Sequence, residues 1–93
     1  MFRIYYDASP SDIQKLNNLK LALKKFKPTD EVEVSAKKQM LSLFSEAMHY
    51  IKSGDADDDA FLKILEIGKI MRKFRIKDQD IAISIKQITG IAP

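Results

Sequence analysis

Four times in 93 residues the chain repeats one arrangement: a capping or acidic residue, a row of apolar residues spaced by three and four, and a basic or helix-breaking end. Such spacing puts the apolar residues on one face of a helix, and a chain with four such faces must bury them against one another. The arrangement predicts an all-α protein, an antiparallel bundle of about four helices with short connections, forming a single domain over 1–93.

Residues 2–6, Phe-Arg-Ile-Tyr-Tyr, are rich in strand formers and predict an extended arm or short strand within 1–8. Ser9, Pro10 and Asp12 then supply a capping hydroxyl, a proline suited to the first helical turn and an acid at the positive end of the dipole. A first helix is predicted over 9–27, with Ile13, Leu16, Leu19, Leu23 and Phe26 as its stripe and Pro28 as its stop. Thr29-Asp30-Glu31 repeats the start signal, and Val32, Ala36, Met40, Leu43, Phe44, Ala47 and Ile51 carry a second helix over 29–53. Residues 31–35 also alternate like a strand, so a two-stranded ribbon with residues 2–6 is the alternative there.

Four acids between Asp55 and Asp59 open a third helix over 57–75, with Phe61, Leu62, Leu65, Ile67, Gly68, Met71 and Phe74 as its apolar set. Asp78 and Asp80 open a fourth over 78–90, where Ile81, Ile85 and Ile88 share a face and Gly90 closes the helix. Ile81, Ile83 and Ile85 fit a strand as well, but the aspartate start and glycine stop favour the helix.

The chain has no cysteine, which excludes a disulfide framework and a thiolate metal site and suits a reducing compartment, so a cytoplasmic location is expected. Met1 to Asp7 lacks the apolar run of a secretory signal, and no segment approaches membrane-spanning length. Sixteen Lys or Arg against thirteen Asp or Glu give a net charge of +3, which permits attraction to anionic surfaces without demanding nucleic acid. The single histidine, His49, lies inside the second helix, so nucleophile, base and orienting group cannot be assembled from the usual residues; no enzymatic activity and no cofactor are expected.

Two features bear on binding. From Asp55 to Glu66 the chain follows the spacing of an EF-hand calcium loop, with Asp55, Asp57, Asp59 and Glu66 at liganding positions; Ala60 stands where the loop needs glycine, and Lys63 puts a cation beside the ligands. A helix start explains the same aspartates without metal. Lys69, Arg72, Lys73, Arg75 and Lys77 place five cations in nine positions. The favoured reading is that they satisfy the negative end of the third helix; the alternative is that they face a phosphate backbone or an anionic lipid surface. Arg72, Lys73, Arg75 and Lys77 are the expected partner-binding residues. Nucleic acid is the less favoured partner, since no helix-turn-helix signature, phosphate loop or stacking aromatic pair is present.

The run Phe61 to Phe74, the polar turn Arg75 to Asp80 and the isoleucine-rich Ile81 to Ile88 resemble the immunity proteins of pediocin-like bacteriocins over roughly residues 9–91. The resemblance implies a small, basic, cytosolic four-helix bundle that binds a bacteriocin-occupied membrane transporter from the cytoplasmic side, with the third and fourth helices carrying specificity. The chain departs from that family in the arm at Phe2 to Tyr6 and in the short segment after the fourth helix. A regulator of a host or phage complex is the alternative, and a single calcium-binding loop a second.

Overall fold

The computed structural model describes residues 10–53 and 57–93. Four helices account for most of them: α1 (Pro10–Lys25), α2 (Glu31–Ser53), α3 (Asp57–Lys73) and α4 (Gln79–Thr89). The all-α reading therefore holds, with helix ends within about two residues of those expected. The arm expected at 1–8, its strand at 2–6 and the acid at Asp55 lie outside the described residues.

Each helix runs antiparallel to the one before it. Lys37 of α2 reaches the end of α1 at Lys24 and Phe26, Glu46 of α2 pairs with Lys63 of α3, and Gly68 of α3 lies against Ile85 of α4. The most extensive packing joins α2 to α3 and then α1 to α4, while α1 and α3, like α2 and α4, stay apart across the diagonals. The result is an up-and-down bundle 39 Å long, set by α2, whose 23 residues span about 35 Å.

The interior draws on every helix: Leu16, Leu19 and Leu23 from α1, Ala36, Met40, Phe44, Ala47 and Ile51 from α2, Ala60, Ile64, Ile67 and Met71 from α3, and Ile81, Ile85 and Ile88 from α4. Three residues expected in the stripes face solvent instead: Ile13 is 50% exposed, Val32 54% and Leu62 55%. Ile13 and Val32 occupy the first turns of α1 and α2. Leu62 stands two residues from Ile64, about 200° round the helix, so burying Ile64 turns Leu62 outward. On α4 the same geometry separates helix from strand, for Ile83 is exposed while Ile81 and Ile85 are buried.

Helix ends are closed by short-range chemistry. Asp30 caps α2 by accepting from Glu33 N–H at 2.8 Å, and the Glu33 carboxylate reaches back to Thr29 N–H at 3.1 Å. These paired caps draw residues 31–35 into the helix and overturn the strand alternative. Lys37 Nζ donates to the carbonyls of Lys24 (3.1 Å) and Phe26 (2.6 Å), so a cation on α2 closes the negative end of α1. At the end of α3, Ile76 N–H bonds Met71 O at 2.8 Å and Arg75 N–H bonds Arg72 O at 3.3 Å, the two bonds of a Schellman motif. Arg75 occupies the left-handed position of that motif, at φ 56°, where glycine is the usual residue. Asp78 caps α4 by accepting from Ile81 N–H at 3.0 Å, and Gly90 closes it at φ 76°.

Two substitutions check these assignments. Arg75→Gly is expected to raise stability by about 1 kcal/mol, because the Cβ penalty of the left-handed conformation disappears; an upward shift of the urea midpoint at constant slope measures it. Lys37→Met is expected to lower stability by about 1 to 2 kcal/mol through the loss of charge-assisted bonds to the α1 carbonyls, with the same titration as readout.

Candidate functional site

The turn from α3 to α4 is where three of the four expected binding residues gather. A notch of about 390 Å³ opens there, lined by Met71, Arg72, Arg75, Ile76, Lys77, Asp78, Gln79, Ala82 and Pro93. Its floor is apolar: Met71 and Ile76 are nearly removed from solvent and Ala82 and Pro93 are half-buried. Its rim is cationic, with Arg72, Arg75 and Lys77 all exposed. Among the described residues none of the three is in an ion pair.

Local structure explains how three cations come to one rim. Arg72 projects from the last turn of α3, the Schellman motif reverses the chain at Arg75, and Ile76 folds into the core as the apolar partner that such motifs carry. Lys77 then falls on the short link before the Asp78 cap. Asp78 is the one acid in the lining, and its Oδ1 is committed to Ile81 N–H. The fourth expected residue, Lys73, points elsewhere: its Nζ sits 5.4 Å from the centroid of the Phe74 ring, a cation–π distance, and it does not line the notch. Of the four residues expected to bind a partner, Arg72, Arg75 and Lys77 line the notch and Lys73 does not.

It missed the far wall. Thr89 Oγ1 donates to Ile85 O at 2.8 Å and accepts from Ile91 N–H at 3.1 Å, and with Gly90 in the left-handed region the chain turns back on itself. This return seats Pro93 over Gly68 of α3, so close that a Cβ built on Gly68 would stand 3.0 Å from the Pro93 Cβ. Glycine in mid-helix costs about 1 kcal/mol relative to alanine, and here the missing methyl makes room for the tail.

The calcium spacing takes a different form. Residues 57–66 belong to α3. Asp59 and Glu66 therefore stand seven residues apart along a helix, about 10 Å, where a calcium loop would wrap the backbone round an ion. Lys63 pairs with Glu46 of α2 at 3.6 Å. Among the described residues no group of three or more His, Asp or Glu is placed to hold a metal. His49 is exposed on α2 with its ring edge-on to that of Tyr50 at 6.1 Å. No helix of the described residues is long and apolar enough to cross a membrane.

Comparison with protein-family models, with curated proteins and with solved structures finds no match to this chain.

Gly68→Ala tests the wall of the notch. The added methyl is expected to lift Pro93 away while helical circular dichroism stays unchanged, and amide shifts of Ile91, Ala82 and Arg72 in a heteronuclear NMR spectrum should move together. Unmoved shifts at all three would mean that the tail does not depend on that glycine.

Proposed function

We propose that this chain is a non-catalytic binding module that shields or inhibits the protein it contacts, and that the corner between α3 and α4 is its contact surface. The observation that carries the reading is the notch itself, where an apolar floor meets three exposed cations with no ion-pair partner among the described residues. An apolar floor supplies affinity once water is displaced from it, and surrounding like charges steer a complementary surface toward it and set its orientation.

The sharpest version is immunity-type protection at the cytoplasmic face of a membrane protein complex. Resemblance to the pediocin-like immunity proteins implies specificity on the third and fourth helices, and the notch lies where those two helices meet. Cations on its rim suit approach to the anionic inner surface of a membrane that holds such a complex. A four-helix bundle serves many functions, so the weight rests on this corner and not on the fold.

Expression in a strain sensitive to pediocin-like bacteriocins, challenged with a panel of these peptides, provides the test. Protection is expected against at least one member, is expected to disappear in the Arg72→Gln/Arg75→Gln/Lys77→Gln variant at unchanged helical content, and is expected to survive Lys73→Gln. A chain that protects against none of the panel is not an immunity protein of this kind.

A further inference from the structure

The notch has a second property that narrows its occupant. The left-handed position at the end of α3 favours glycine on backbone grounds, yet Arg75 holds it at φ 56° with its side chain exposed and on the rim. Folding gains little from that side chain, because among the described residues it makes no ion pair and it packs in no core. Backbone strain at a residue whose side chain makes no ion pair among the described residues and packs in no core points to a role for that side chain outside the fold.

We infer that the notch takes an acidic amphipathic segment of a partner protein, with one apolar side chain on the floor made by Met71, Ile76, Ala82 and Pro93 and carboxylates on Arg72, Arg75 and Lys77. This rests on the binding reading above and names its partner chemistry. Arginine presents a planar fork that meets a carboxylate through two parallel bonds, so Arg72 and Arg75 would hold carboxylates in a defined geometry where two lysines would supply charge alone. The single lining acid, Asp78, is turned to the α4 cap and leaves the rim with an excess of two positive charges, three cations less one carboxylate. An extended nucleic-acid strand calls for stacking aromatics along a basic groove, and none of the notch-lining residues is aromatic. A flat lipid surface would make no use of a hollow about 390 Å³ in size with an apolar base.

The probe is a fluorescein-labelled helical peptide with leucines at positions i, i+3, i+4 and i+7 flanked by glutamates, titrated by fluorescence polarisation with the full chain. Saturable binding is expected, weaker by about tenfold when lysines replace the glutamates or serines replace the leucines, and weakened by added salt. Arg75→Gly separates binding from folding, since that variant is expected to melt no lower than the parent while binding the peptide several-fold more weakly. Equal affinity for the lysine peptide, unchanged affinity in Arg75→Gly, or no saturable binding overturns the inference. Retention on phosphatidylcholine and phosphatidylglycerol vesicles that the triple glutamine variant loses, with no peptide binding, assigns the rim to lipid and overturns it too. If protection in cells depends on the rim while the acidic peptide fails to bind, the partner chemistry named here is wrong and the binding reading stands.

Discussion

An eleven-residue helix is too short to hold together in water, and α4 forms because Ile81, Ile85 and Ile88 are withdrawn almost completely from solvent between α1 and α3. Burial of each isoleucine contributes about 2 kcal/mol, enough to offset the unfavourable start of so short a helix. The corner described above exists only while α4 is seated. Ala82 belongs to the floor and Gly90 turns the tail that carries Pro93, so the seam that stabilises the bundle also shapes the notch.

Charge at the helix ends serves folding and surface at once. Basic residues in the last turns of α1 and α3 meet the negative dipole ends, and aspartates at the starts of α2 and α4 cap free amides. In most of these places a charged side chain has a partner within the bundle: Lys37 on the α1 carbonyls, Asp30 and Asp78 on backbone amides, Lys63 on Glu46, Lys73 on the face of Phe74. Arg72, Arg75 and Lys77 have no ion-pair partner among the described residues, and for Arg75 the backbone adds an opposing cost. A cation with a partner inside the bundle and one without look alike in composition; the difference lies in what surrounds the charged group.

The stripes on α1, α2 and α4 were legible because a spacing of three and four admits one helical face, and the caps were legible because Asp30, Asp78 and Gly90 act within one turn of chain. On α3 the reading was blurred. Seven of the eleven residues from Phe61 to Met71, all but Lys63, Glu66, Gly68 and Lys69, carry apolar side chains, so several rows compete, and contact with α2 and α4 selects the one through Ala60, Ile64, Ile67 and Met71. The alternation at 31–35 and the calcium-like spacing at 55–66 were local patterns compatible with two conformations. For 31–35 the Asp30 and Glu33 caps decided, and from Asp57 onward the burial of Ala60 and Ile64 carries the backbone into a helix.

From its sequence alone this protein is committed to helices, to where most of them begin and end, and to a basic stretch at the close of α3, because periodicity, caps and dipoles act over a few residues. Tertiary structure alone decides that Pro93 lies on Gly68, that Ile76 and Ala82 share a floor, and that Lys73 leaves the group to which Arg72, Arg75 and Lys77 belong. Those choices depend on how far each helix is rotated about its axis when four apolar rows are packed together. No stretch of chain carries that rotation by itself, since it is the joint solution for all four.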